Sequence, residues 1–501
     1  ESIQDLVNYS GGDIDITDSA ANLISAGDHV LNVTGVDTVT VNAAGTGSTV
    51  TAQDGAILAG FTADVEFDVV DDVSDLKAIM GQNDAASYLT EANSITVDNG
   101  SGDRVVGAQD GAILASFTAD VDFDVVATAD EIAAELTGSI APGTGVNSLD
   151  EAADVVVSGG DVDAEDAAAI MQISGYNTGG CQFEITDDVA SVISAGTGVI
   201  ENGGVSKVEV TGVADVSEGV ALNTYTSNVE FDVSGTADDI FAEVNNLGDA
   251  DDVFVVSGDV SISEAQSIQS LGGYNASGST YEIEDSAAHI TASTDTLMQN
   301  GTIKVDVTDT DVNASIGNTL AAFTADIEFD VSDTAANIAA QIAAGNGTNG
   351  TGYGADSLED AGSVVVESGS AVLASQAESI QDLVNYSGGD IDITDSAANL
   401  KSAGDHVLNV TGVDHITTTE ATVGASDGAL LGAFTADVHF DVADTAANIA
   451  AEVMGANSAT DLDEALSVVV QSGDAVSVAE AGAIQGISGY TGAGDLDIED
   501  S

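Results

Sequence analysis

Basic side chains are almost missing. The 501-residue chain has five Lys and Arg residues (Lys77, Arg104, Lys207, Lys304 and Lys401) against 86 Asp and Glu, a formal charge of −81. Salt bridges cannot neutralise such a surface: at most five acids are expected to find a basic partner, and salt or bound cations must serve the rest. Nucleic acid and anionic membranes are repelled by this field. Cysteine is represented by Cys181 alone, which excludes an intrachain disulfide framework and a cysteine-rich metal site. A single Cys just before a strand reads as an inert buried thiol. The only proline is Pro142, so no Pro-rich linker marks a hinge. The Gly-rich stretch 345–354 reads as a surface loop inside a unit. No apolar run approaches the ~20 residues that span a bilayer. No leader peptide is visible; the chain opens mid-repeat at Glu1, so the natural N-terminus is expected upstream.

Chemistry-bearing motifs are equally sparse. There is no 12-residue calcium loop: the run from Asp161 to Asp166 lacks the glycine at the sixth position and suits a helix cap better. The Gly-Gly-x-Gly-x-Asp nonapeptide is absent too. His29, His289, His406, His415 and His439 are scattered singly and read as exposed polar filler. No Ser-His-Asp set sits on a nucleophile elbow, and paired carboxylates are too common to single out a glycosidase. A lyase acting on acidic polysaccharide would need basic residues that the chain does not have.

What is present is repetition. Hydrophobic residues make up 44% of the chain, which excludes a disordered acidic tail. In Asp64-Val65-Glu66-Phe67-Asp68-Val69 the apolar residues alternate with acidic ones, the mark of a strand buried on one face. A short helical run through Val73, Leu76 and Ile79 follows. Relatives of this strand start at Asp120, Asn228, Asp326 and Asp437. Three further strand types accompany it, represented by Asp13–Asp18, Val30–Gly35 and Val155–Gly159. Residues 1–37 recur almost unchanged at 378–414, with Lys401 in place of Ile24. Residues 53–70 recur at 109–126. The markers Ile16, Ile185, Ile283, Ile393 and Ile498 divide the chain into cycles. The expected organisation is the end of one repeat (1–12), an expanded repeat with an internal duplication (13–180), repeats at 181–279, 280–388 and 389–493, and the start of another (494–501).

The helical halves carry their own signals. Asp-Ser/Thr-Ala-Ala-Asn-Ile/Leu at Asp18, Asp333, Asp395 and Asp444 opens a helix with a capping residue. Ser261 with Glu264 and Ser477 with Glu480 form capping boxes. Gly175-Tyr176, Gly273-Tyr274 and Gly489-Tyr490 are expected to stop helices with a left-handed glycine. Short helices linking strands of one phase require parallel strands and right-handed crossovers. The expected fold is an α/β repeat: an elongated solenoid of short parallel β-strands alternating with short helices. Each strand–helix unit takes about 25 residues and each four-unit repeat about 100, with helices on one sheet face and acids bare on the other.

Stacked parallel strands lie about 4.8 Å apart, so outward acids such as Asp64, Glu66 and Asp68 are expected to form like-charge ladders. Each contact costs on the order of 1 kcal/mol in bulk-like water, and many together exceed the ~5–15 kcal/mol net stability of a domain. Cations are therefore required, calcium being the natural choice for clustered carboxylates. Its expected ligands are those three and the strand-end residues Asp18, Asp187, Asp285, Asp395 and Asp500, each of which has a rival role as a helix cap. Sequons such as those at Asn346 and Asn349 are possible glycan acceptors if the source glycosylates.

Long near-identical repeats, the Asp-Thr-Ala-Ala-Asn-Ile motif at 333–338 and 444–449, and near absence of Lys, Arg, Pro and Cys together resemble giant bacterial cell-surface and secreted tandem-repeat proteins. The likeness is to marine or cyanobacterial surface proteins and the repeat regions of RTX-type adhesins. The resemblance covers the whole chain in composition and repeat style, and departs from the RTX pattern in lacking its nonapeptide. It implies secretion to the cell surface, stiffening by calcium, and use as a stalk, coat or adhesive fibre. The resulting expectation is a non-enzymatic region of a long extracellular filament, stalk or surface layer. Its partners would be adjacent repeats or other copies of itself, end to end or laterally. The alternative is an adhesin that binds glycan, mineral or ice through its acidic sheet face.

Overall fold

Val65, Phe67 and Val69 are buried while Asp64 and Glu66 are exposed, as the alternation requires. The computed structural model describes residues 12–42, 48–80, 82, 89–137, 149–345, 358–455, 462–472 and 475–499. Pro142, Asn346, Asn349 and Asp500 lie outside them. The chain divides into two units. The first comprises Glu1–Gly235, Glu243–Phe254 and Leu271–Tyr274; the second comprises Thr236–Ala242, Val255–Ser270 and Asn275–Ser501.

In the first unit the strands pair in parallel, with short strands such as Thr49–Val50 skipped so that each strand lies beside one a turn further along the chain. Ile14–Asp18 pairs with Val36–Val41, which pairs with Val65–Glu66. Asp68–Asp71 pairs with Ser94–Val97, which pairs with Val121–Asp122. Asp124–Ala127 then pairs with Asp154–Val157. Phe183–Asp188 pairs with Val205–Ala214. The second unit repeats the rule from Tyr281–Asp285 through Thr302–Val307 to Ile327–Glu328. It continues from Val331–Thr334 through Val364–Glu367 to Tyr386–Gly389. Ile391–Asp395, Val413–Thr418 and Val438–His439 come next, then Asp441–Thr445, Ser467–Gln471 and Tyr490–Gly494. The fold class is thus α/β with short parallel strands.

The Phe67-type segment is not one six-residue strand. It breaks at the phenylalanine into Val65–Glu66 and Asp68–Asp71, because the two halves pair with different neighbours: Val65 with Val39, Asp68 with Thr49. The same break falls at Phe123, Phe329 and Phe440, whereas Val229–Thr236 runs through Phe231 unbroken. Each of these segments packs under a helical glycine. A Cβ on Gly55, Gly111, Gly219, Gly317 or Gly428 would lie 2.9, 2.8, 2.5, 2.8 or 2.7 Å from Cγ2 of Val69, Val125, Val233, Val331 or Val442. A Cβ there would overpack against the valine and force helix or side chain to shift, so glycine lets the helix close onto the sheet.

The helices start as expected. Ser261 with Glu264 and Ser477 with Glu480 form reciprocal capping boxes, and Asp163 caps Ala164–Ile170 through the Asp166 N–H at 2.8 Å. Their ends differ from expectation. Ala164–Ile170, Ile262–Gln269 and Val478–Gln485 finish several residues before Gly175, Gly273 and Gly489, and none of these glycines has a positive φ. They are required for close approach instead: a Cβ there would meet the carbonyl oxygen of Ala152, Ala250 or Ala465 at 2.5, 2.3 or 2.5 Å.

Candidate functional site

The strand-end aspartates belong to a recurring device. Asp395 is buried. Its Oδ2 accepts the N–H of Ala374, the first residue of the preceding helix Ala374–Gln381, at 3.1 Å. Its Oδ1 accepts the N–H of Ser396 at 2.7 Å and an Nδ2–H of Asn399 at 2.8 Å. One carboxylate thus joins the starts of two successive helices. A helix leaves its first N–H groups without intrahelical partners. At Ala397–Ala403 the N-cap Ser396 hydroxyl accepts the third residue's N–H. Leu373, the N-cap of Ala374–Gln381, makes no such side-chain bond, and there the next turn's carboxylate serves the first N–H.

The same bond pattern recurs along both units. Asp71 accepts from Ala52 at 2.9 Å, Asp187 from Ala164 at 3.0 Å and Asp285 from Ile262 at 3.0 Å. Asp309 accepts from Ala287 at 2.7 Å, Asp333 from Ala314 at 3.0 Å, Glu420 from Ala397 at 3.0 Å and Asp444 from Ala425 at 2.9 Å. Where the acid is missing, Asn99 Oδ1 accepts from Val73 and the Gly159 carbonyl accepts from Ala129. At Asp285 and Asp444 burial pushes the carboxyl pKa up, but hydrogen bonds from His289 or Asn448 and from backbone N–H groups outweigh it and leave it lowered. Asp18, the repeat equivalent of Asp395, is exposed; bonds from Asn22 and the Ser19 N–H lower its pKa.

A second carboxylate clamp sits elsewhere on the turn. Asp28 accepts both the N–H and the hydroxyl of Thr62, at 2.7 and 2.8 Å. Asp295 does the same for Thr324, Asp405 for Thr435 and Glu201 for Thr226. Asp28, Asp295 and Glu201 have lowered pKa values, the Thr side chain being the main cause at the first two and the Thr226 N–H at Glu201.

Among the expected calcium ligands, Asp187, Asp285 and Asp395 therefore stand as turn-to-turn clamps and Asp18 as a partner of its own helix start. Asp64 and Glu66 are exposed on the outward sheet face. Asp68 accepts the hydroxyls of Ser48 and Ser94. Among the described residues, the strand partners of Glu66 and Asp68 are not acids: Glu66 stands opposite Thr40, and Asp68 opposite Thr49 and Ser94. Opposed acids do occur at Asp124/Asp154, Asp161/Glu184, Glu209/Glu230, Asp259/Glu282, Glu284/Asp306 and Asp306/Glu328. The ladder of acids is thus interleaved with hydroxyls rather than continuous.

Arg104, Lys207 and Lys304 are placed against those contacts, and each serves two acids rather than one. Lys207 reaches Glu209 at 3.3 Å and Glu230 at 2.7 Å; Lys304 reaches Asp306 at 2.9 Å and Glu328 at 2.8 Å. Arg104 reaches Asp122 at 2.6 Å and Asp124 at 3.3 Å. Lys77 pairs with Asp110 and Lys401 with Asp427. The expectation of one acid per cation fails because a cation on the sheet face touches its own strand and the next.

One further group of acids, Asp71, Asp72 and Asp75, brings a carboxylate oxygen from each within 4.8 Å of the others. Its oxygens already accept hydrogen bonds: Asp71 from the Ala52 and Asp72 N–H groups, Asp72 from the Ser74 hydroxyl and the Asp75 N–H. That is the chemistry of a helix start. Cys181 is buried, and desolvation raises its pKa, as an inert thiol requires. Histidine is where sequence reasoning missed an arrangement: His415 and His439, read singly, have ring centroids 6.4 Å apart. Their 24-residue separation, one strand-to-strand step, was the available signal. Among the described residues, no helix is long and apolar enough to cross a membrane. Comparison of the chain with protein-family models and with curated proteins gives no match.

Proposed function

We propose that the chain is a non-enzymatic structural repeat region of a long extracellular filament, stalk or surface layer, folded as an elongated solenoid. The observation that carries this reading is the carboxylate clamp repeated from Asp71 to Asp444. Acidic side chains that could have formed one active centre are distributed instead along both units, holding successive helix starts together. Such nearest-neighbour stabilisation is the logic of a repeat array. Calcium is proposed as a counter-ion of the outward face, where Asp64 and Glu66 stand exposed, because the strand-end carboxylates already have N–H donors. Adjacent repeats and further copies of the chain, end to end or side by side, are the proposed partners.

Two measurements test the reading. Small-angle scattering of the chain in moderate salt distinguishes the shapes: a solenoid advancing about 4.8 Å per turn has a radius of gyration well above the roughly 23 Å of a compact chain of this length. A value near the compact one rejects the solenoid. Antibodies to the chain are expected to label intact, unpermeabilised source cells or their shed material; labelling confined to lysed cells rejects the extracellular assignment.

A further inference from the structure

His415 and His439 occupy positions that other cycles give to an ion pair. On the outward sheet face Lys207 stands opposite Glu184 and reaches across to Glu230. One cycle later Lys304 stands opposite Glu282 and reaches Glu328. In the cycle of residues 391–445, His415 stands opposite Asp392, and His439 takes the place of the glutamate. A Lys–Glu pair has become two imidazoles on adjacent strands. Their centroids are 6.4 Å apart with planes at 75°.

Two imidazoles cannot replace the attraction of the pair they displace, since neither supplies a negative charge. They share one capability that the Lys–Glu pair lacks: each can offer an imidazole nitrogen to a common ion. An ion about 2.1 Å from each nitrogen sets the ring centroids roughly 5–6 Å apart, so the rings, 6.4 Å apart here, close by side-chain rotation on binding. The surroundings suit it. Asp392 Oδ1 lies 3.1 Å from His415 Nδ1; a carboxylate accepts, so His415 donates through Nδ1 and Nε2 is the nitrogen left to ligate. Asp437 Oδ2 lies 3.7 Å from His439 Nε2, placing a carboxylate beside the second ring as a further oxygen donor. The His415 side chain is 70% exposed, so the position is open to solvent, and the chain's large negative charge concentrates cations around it.

We propose that His415 and His439, supported by Asp392 and Asp437, bind a divalent first-row transition-metal ion of the zinc–copper class. Imidazole selects these ions over calcium and magnesium, which take oxygen ligands. The site is thus distinct in chemistry from any calcium held by the carboxylates.

The test is calorimetric titration of the full chain with zinc, and separately with copper(II), in excess calcium, with the histidine Cε1–H resonances followed by NMR. One ion is expected to bind with the His415 and His439 resonances responding together. His415→Asn and His439→Asn are each expected to weaken it by about a hundredfold, the loss of chelation. The double change His415→Lys with His439→Glu restores the ion pair of the other cycles, so it is expected to keep the metal-free melt and abolish the site; it decides the matter if either Asn variant folds poorly. Unchanged zinc affinity in that double variant, or an equal response from His29, His289 and His406, overturns the proposal.

Discussion

The Asp395 carboxylate and the Ala374 N–H meet at 3.1 Å across one turn, and the aspartate that makes this bond is 4% exposed. Removing it strands the first N–H of one helix and weakens the start of the next. Asp395→Ala is expected to cost about 1–3 kcal/mol, read as a drop in the unfolding midpoint. Asp18→Ala, the same substitution in the duplicated sequence but at an exposed site, is expected to shift the midpoint far less. Equal effects would mean that the clamp adds nothing beyond local capping.

Gly219 and Gly482 both lie inside helices but predict opposite outcomes. A Cβ on Gly219 would lie 2.5 Å from buried Val233, while one on Gly482 meets nothing within 4 Å. Gly482→Ala should stabilise by roughly 0.5–1 kcal/mol, the difference in helix propensity. Gly219→Ala gains the same propensity but forces an overpacked core, for a net loss of about 1–2 kcal/mol. Thermal melts of the two variants give the signs directly.

Acid should unfold the chain through its clamps. Asp18, Asp28, Asp285, Asp295 and Asp444 have folded-state pKa values below the ordinary 3.8, and Glu201 below 4.5. Their contribution is complete above those ordinary values and is lost as pH falls through the lower folded ones. Asp37, Asp166 and Asp251 have raised values and act oppositely, as does relief of general self-repulsion. Stability is therefore expected to hold or rise down to about pH 4 and then fall steeply below it. A steady rise from pH 5 to pH 2 would show that repulsion, not clamping, dominates.

Lys304 lies between Asp306 and Glu328, and these acids hold its pKa above the ordinary lysine value, the bond to Glu328 first. Lys304→Met leaves those acids opposed. The variant should melt lower than the parent in dilute buffer, with the gap closing in molar salt as screening replaces the cation. A gap independent of salt would point to lost packing of the lysine stem instead.

Some local patterns were legible in the sequence, but the strand expected at Val30–Gly35 was not: Asp28–Leu31 is a helical turn and the strand is Val36–Val41. Alternation placed Val65, Phe67 and Val69 inward, and three-residue spacing found the boxes at Ser261 and Ser477, because both signals lie within a few residues of one another. The clamps were not legible. Nothing in the run around Asp71 indicates that its carboxylate reaches Ala52, since that depends on how far the chain travels before the next strand settles beside the last. Gly175, Gly273 and Gly489 were misread for a related reason: their constraint is a neighbouring turn's carbonyl, not their own φ. The outward ladder was overestimated because register, which sets Glu66 against Thr40, is a property of two strands and not of one.

Amide hydrogen exchange at the first residues of the helices tests the turn-to-turn clamp most directly. The N–H groups of Ala164, Ala314, Ala374 and Ala425 point to carboxylates of the following turn and are predicted to be protected well beyond ordinary helix-start amides. In Asp333→Ala, protection should fall at Ala314 while persisting at Ala164. Exchange at Ala164, Ala314, Ala374 and Ala425 as fast as at solvent-exposed amides, or no change at Ala314 in the variant, would contradict it.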